Sequence, residues 1–307
     1  MNKTQIHSHI YKMKSAIFYF VCLCSLNSTA QDSAAVKVQG IPSGKAYIYK
    51  NDTLYFGKPN ILNNISHVPL NMWQIAKSPL QKKNWVGLSV VAATTTLLIL
   101  KDEEILKWVR QTSDGIGLKP ETNFNVVFKV GDTKILKVPQ NVNTTLYQLG
   151  EGGTSMILAG GLWIYGKIKH DWRAINTAND LTETFVTMGL TTQIIKRATG
   201  RESPFKATVN VGKWTAFPTF AAYQKNTSAY DAFPSGHLAT LMATVTVLSS
   251  NYPEKKWIKP LGYSLMFLSG WAMMNTEVHW AGDYPLAIAV GYLSGKITTR
   301  RHKIKRK

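Results

Sequence analysis

Cysteine is almost absent from this chain, and where it occurs removes it from the argument. Cys22 and Cys24 both fall within the first thirty residues, where Lys3, Lys12 and Lys14 give a basic start, Ala16 to Leu26 an apolar run, and Ser28-Thr29-Ala30 small residues ahead of Gln31. That is the layout of a secretory signal, so residues 1–30 are expected to be cleaved. The remaining chain would carry no thiol, which excludes disulfides, Cys-ligated metal and cysteine nucleophiles. A retained anchor is the competing reading, but the apolar run is far shorter than the ~20 residues of a span. Neither cysteine follows the leucine-small-small pattern of a lipid anchor.

Acidic residues are scarce as well. Against 36 Lys and Arg stand 17 Asp and Glu, a formal net charge of +19, and such a balance favours anionic partners. Much of the excess lies in Arg300-Arg301-His302-Lys303-Ile304-Lys305-Arg306-Lys307, directly after an apolar stretch. In an exported protein a basic tail there suits anionic lipid headgroups rather than nucleic acid. The partners expected are therefore an anionic membrane surface and no nucleic acid.

Long hydrophobic runs are the third thing missing. Apolar-rich stretches occupy residues 85–100, 152–166, 184–195, 237–252, 257–275 and 284–295, each at or below the ~20 residues of a span. Mean hydropathy is −0.10, low for a polytopic protein, so a water-soluble helical bundle competes with a membrane-associated one. The basic residues favour the membrane, because Lys167, Lys169 and Arg173, then Lys255 and Lys256, then the tail alternate consistently with a positive-inside arrangement. Five spans would place these segments inside and leave residues 85–100 as a non-spanning packing helix. The expected architecture is an all-α helical bundle, membrane-associated, with 31–84 an irregular N-terminal segment, 85–298 the helical domain and 299–307 a basic tail.

What is present is a pair of short polar motifs inside apolar surroundings. Phe233-Pro234-Ser235-Gly236-His237 opens one apolar stretch, and His279-Trp280-Ala281-Gly282-Asp283 opens another. Ser235 is a natural N-cap, and the free amides and partial positive charge of a helix start hold phosphate oxygens. His279 and Asp283 are four apart, a spacing that puts them on one helix face. The constellation reads as phosphoryl-transfer chemistry.

Together with Lys196 and Gly200-Arg201-Glu202-Ser203-Pro204, and in this order, the motifs resemble the type 2 phosphatidic acid phosphatase superfamily, which includes bacterial acid phosphatases and vanadium haloperoxidases. The resemblance covers roughly residues 150–298. It implies His279 as nucleophile forming a phosphohistidine, Asp283 as the support of its ring and His237 as general acid and base. It further implies Ser235, the Gly236 amide and Lys196 as ligands of the phosphoryl oxygens, and no metal or other cofactor. Two positions where the family carries phosphate-clamping arginines hold Ser203 and Met273 here. Arg201 is the candidate to replace them.

The expected activity is hydrolysis of a phosphate monoester or pyrophosphate, with a phosphorylated lipid ahead of a small phosphate ester. The expected location is the bacterial cell envelope, exported and inner-membrane-associated with a periplasm-facing site. Residues 205–232, with Lys206, Lys213, Lys225, Trp214, Phe217, Tyr223 and Tyr230, suit a headgroup-binding lid. The alternatives are a catalytically weak lipid-binding or scaffold protein, and a vanadate-dependent oxidase.

Overall fold

The computed structural model describes residues 35–36, 44–50, 52–130 and 133–304. The expected leader and the last three residues of the basic tail lie outside them.

Helices dominate. In chain order they are α1 (Ile61–Ser66), α2 (Val68–Lys77), α3 (Trp85–Gly115), α4 (Val142–Gln148), α5 (Gly152–Lys169), α6 (Trp172–Thr199), α7 (Phe220–Lys225), α8 (Gly236–Asn251), α9 (Ile258–Asn275) and α10 (Tyr284–Thr299). Their ends follow local chemistry. Asp171 caps α6 by accepting from the amides of Arg173 and Ala174, Gly200 ends it in the left-handed region at φ 59°, and Ser235 caps α8. A side chain at Gly200 would collide with the backbone of Thr215, so this turn admits only glycine.

Helices α8 and α10 pack closest. A Cβ on Gly291 of α10 would stand 2.3 Å from the carbonyl oxygen of Ala239 on α8, and one on Gly295 would stand 2.8 Å from Thr246 Cβ. Small residues four apart let two helix backbones approach in this way. The adjoining core gathers Met188, Leu238, Met242, Met266, Met273 and Val290. Helices α6 and α9 end, and α8 and α10 begin, at the same end of the bundle. The polar motifs singled out in the sequence therefore meet there.

The described residues of 31–84 include regular elements where an irregular segment is expected. Strands β1 (Ala35–Val36), β2 (Gly44–Tyr49), β3 (Asp52–Gly57) and β6 (Lys303–Ile304) form an antiparallel sheet in that order, so the C-terminal residues return to the N-terminal hairpin. Alternation explains β3: Leu54 and Phe56 are buried on one face of the hairpin, opposite Tyr47 and Lys45 of β2. The guanidinium of Arg173 stacks on Tyr47 and Tyr252 at 4.3 and 4.2 Å and donates to the carbonyl of Asn251 at 2.7 Å, locking this sheet to the bundle. A second hairpin, β4 (Phe124–Val130) with β5 (Thr133–Pro139), lies within the region read as wholly helical.

Helix α3 corrects the expectation of a short packing helix over 85–100. Among the described residues, Lys82–Gly115 is the one helical stretch long and apolar enough to cross a membrane, and its apolar window is not covered by protein. Trp85, Val86, Val90, Leu97 and Leu100 are exposed, as are Ile157, Trp163, Ile164 and Ile168 on α5 and Phe267 and Leu268 on α9. Apolar surface on that scale marks contact with lipid or protein. Helix α6 is longer than its apolar core predicted because its first half buries polar groups: Asp180 accepts from Asn251 at 2.7 Å, and Glu183 pairs with Arg301 and Asn71.

Candidate active site

Three backbone segments converge at one end of the bundle. The Ser235 amide donates to the carbonyl of Asp283 at 3.0 Å, which joins the start of α8 to the start of α10. Thr199 Oγ1 donates to the carbonyl of Phe233 at 3.1 Å, joining the end of α6 to the same turn. Lys196 is thereby brought to Gly236: a Cβ there would lie 4.0 Å from Lys196 Nζ. The ammonium donates to the Asp231 carbonyl at 2.6 Å and stands 3.6 Å from its carboxylate. A cation thus sits at the α8 N-terminus, whose first amides have no partner within the helix. Ser235 is fully buried, its hydroxyl 3.4 Å from the Leu238 amide and 3.8 Å from Met273 Sδ.

The two imidazoles face each other across this turn. The rings of His237 and His279 are 5.8 Å apart and nearly perpendicular. His237 also packs on the Tyr147 ring at 4.7 Å, and Gly150 comes so close that a Cβ would stand 2.7 Å from His237 Cβ. Burial, with Glu151 and Asp231 adding to it, pushes the Tyr147 hydroxyl up to about 12, so Tyr147 stays neutral. His279 Nδ1 stands 3.4 Å from Asp283 Oδ2. That oxygen already accepts the Trp280 amide at 2.8 Å, and the buried His279 Nδ1 makes no hydrogen bond. With Nδ1 turned to the carboxylate, Nε2 is the nitrogen left for chemistry.

Arg201 is in the cluster but does not face the same space. It is fully buried, donating from Nη1 to Asp283 at 2.7 Å, from Nη2 to Asp102 at 2.6 Å and to the Val211 carbonyl at 2.8 Å. Its guanidinium lies 5.0 and 5.2 Å from the rings of Trp214 and Trp280. Its donors are directed at protein groups rather than at the His237–His279 space. Met273, also buried, places a thioether beside Ser235 where the resemblance would put an arginine.

The loop after α6 is tied down by Glu202, which accepts from the amides of Thr208 and Lys213 and from the Thr208 hydroxyl at 2.8–3.0 Å. Burial works against that carboxylate, but these hydrogen bonds and the charge of Lys213 prevail and hold it below the usual range. Beyond it Phe205, Val209, Phe217 and Phe220 are exposed, while Tyr223 is buried under the guanidinium of Arg197 at 3.6 Å.

Residues 178–307 match the family model described as the PAP2 superfamily. That stretch of the chain is similar to the superfamily. A lipid A 1-phosphatase of Porphyromonas gingivalis is 31% identical over 90 residues, 29% of this chain and 19% of the relative, so the match spans about a fifth of the curated protein. A transmembrane PAP2-type phosphatidylglycerolphosphate phosphatase from Bacillus subtilis aligns over 78% of this chain and 95% of its own, with 16% identity and a TM-score of 0.35.

Several residues of this end of the bundle escaped the sequence reading. Tyr147 and Gly150 precede the recognisable motifs and have no spacing that links them to His237. Asp231 lies in the link before α8, in an isolated bridge with Arg201. Asp102 was hidden among Lys101, Glu103 and Glu104, yet it shares a helix face with buried Val109 and Ser113, and that phase was the available signal.

Proposed function

We propose that this protein is a membrane-associated phosphatase that hydrolyses a lipid phosphate monoester or pyrophosphate through a phosphohistidine. His279 Nε2 attacks phosphorus, and the bond to the leaving oxygen breaks as His237 delivers a proton to it. Water then attacks the phosphorylated His279, giving its proton to His237 and releasing inorganic phosphate. Lys196 and the first amides of α8 hold the phosphoryl oxygens. The observation that carries this reading is the perpendicular pair of imidazoles 5.8 Å apart at a helix start that Lys196 also reaches.

A lipid substrate is supported by the exposed apolar faces of α3, α5 and α9, by the exposed aromatics of the 205–220 loop, and by the naming of the Porphyromonas relative as a lipid A phosphatase. Lys167 and Lys169, Lys255 and Lys256, and Arg300 to Lys303 all fall at helix ends opposite the site, which supports a site on the exported side. The buried Met273 and Ser203 favour a second reading, a lipid-binding protein with a weakened anion clamp.

Phosphate release by the detergent-purified chain, measured on a panel of lipid and soluble phosphates beside His279→Ala and His237→Ala, separates the two. The phosphatase reading expects release that His279→Ala abolishes, and an acid-labile phosphoryl adduct on His279 when the reaction is quenched. Release that persists in His279→Ala refutes the mechanism. Lipid binding without release supports the second reading.

A further inference from the structure

The carboxylate of Asp102 comes from α3, outside the part of the chain matched to the superfamily, and reaches the loop that presents His279. Its neighbours Glu103 and Glu104 pair with Lys107 and Lys101 at the surface, whereas Asp102 has no exposed surface. Oδ1 accepts the Gly282 amide at 2.8 Å and Oδ2 accepts Arg201 Nη2 at 2.6 Å. Arg201 then donates Nη1 to Asp283 Oδ1 at 2.7 Å, and Asp283 Oδ2 faces His279 Nδ1. The approach is so close that a Cβ at Gly282 would stand 2.6 Å from Ile99 Cγ1 and 2.9 Å from Asp102 Oδ2.

One buried guanidinium therefore serves two buried carboxylates. With Asp102 matching the charge of Arg201, the negative charge of Asp283 is left for the imidazole beside it. With Asp102 neutral, Arg201 would be matched by Asp283 alone, and the imidazole would lose that support as it gains positive charge on bonding to phosphorus.

We propose that Asp102 is a positioning residue for the reaction: through Arg201 and the Gly282 amide it fixes the 280–283 loop and keeps the Asp283 carboxylate committed to His279. The proposal rests on the phosphatase reading of His279. It also gives α3 a part in the site as well as in the apolar surface.

The test uses the full chain in detergent, with phosphate release from dioctanoyl phosphatidic acid and from pyrophosphate. Asp102→Asn is expected to lower kcat on the order of 10-fold to 100-fold, the scale of a misplaced catalytic group, with KM within about twofold of wild type. It should add little to the loss already caused by Asp283→Asn, and it should speed amide exchange over residues 280–283. Asp114→Asn, an exposed carboxylate on the same helix, should leave all of these unchanged. A wild-type kcat in Asp102→Asn, a loss confined to KM, or losses that multiply in the Asp102→Asn, Asp283→Asn double variant would overturn the proposal. If Asp102→Asn does not fold, Asp102→Glu keeps the charge but displaces the carboxylate by one methylene, and an unchanged kcat there overturns it equally. Absence of release from wild type on both substrates would instead remove the phosphatase reading and the catalytic role with it. Unchanged exchange in Asp102→Asn would then show that the tie itself is wrong.

Discussion

Adding a single methyl group at Gly291 is expected to damage both stability and catalysis, although Gly291 lies two turns along α10 from Asp283. The added Cβ would stand 2.3 Å from the Ala239 carbonyl oxygen, 3.0 Å from the Ala243 nitrogen and 3.0 Å from Met242 Cβ. Two of these are backbone atoms, which cannot rotate away, so α8 and α10 must part by roughly 1 Å to restore ordinary contact in a core packed like a crystal. Overpacking of this kind costs about 1–3 kcal/mol, which lowers the unfolding midpoint by roughly 3–10 °C. His237 rides on the first turn of α8, while His279 and Asp283 lead into α10. The same displacement therefore moves one imidazole away from the other, and kcat should fall on the order of 10-fold to 100-fold. The assay is thermal unfolding and phosphate release of Gly291→Ala, with Gly189→Ala as control because a Cβ there meets nothing within 4 Å. Gly189→Ala should match or exceed the wild-type midpoint, since alanine is the better helix former by about 0.8–1.0 kcal/mol. A Gly291→Ala protein with wild-type midpoint and kcat would refute the claim that the α8–α10 approach sets the imidazole geometry.

Other outcomes follow from the same contacts. Glu202→Gln weakens three donors' hold on the 205–213 loop and should cost about 1–3 kcal/mol, seen as faster tryptic cleavage at Lys206 and Lys213; unchanged cleavage would show that the loop is held by other contacts. Because the folded Glu202 carboxyl titrates below its ordinary value of 4.5, its contribution is complete above that value and is lost as pH falls through the lower folded value. The loop should therefore become protease-sensitive only under acid, and sensitivity rising toward neutral pH would contradict the sign. Arg301→Ala leaves the wholly buried Glu183 with Asn71 alone. Allowing for the partial exposure of Arg301, this should destabilise the protein by about 3 kcal/mol, and a second change, Glu183→Gln, should recover part of the loss. Recovery of nothing would mean that the guanidinium acts through packing rather than charge.

Part of the candidate site's arrangement was legible because residues close in sequence carry it. Ser235 caps α8 and places Gly236 and His237 on its first turn, whereas His279 and Asp283, expected on one helix face, stand on a loop and short 3-10 turn that lead into α10. The helical framework was legible for a related reason: apolar stretches without strand alternation have one economical way to satisfy their backbone, and α5, α8, α9 and α10 fall where those stretches are. The first half of α6 was not legible because its buried polar groups find partners, such as Asn251 and Arg301, far along the chain. Neither was the N-terminal sheet, whose fourth strand is supplied by Lys303–Ile304.

By itself the sequence determined which side chains are of a type that exchanges protons or binds phosphate, and where α5, α8, α9 and α10 run, because these depend on residue type and local spacing. The tertiary structure alone decided where charges are used. A row of residues such as Gly200-Arg201-Glu202 offers a guanidinium without saying whom it serves. The left-handed turn at Gly200 and the approach of α3 at Gly282 turn Arg201 toward Asp102 and Asp283, because a buried guanidinium must be met by charge and hydrogen bonds wherever the fold places it.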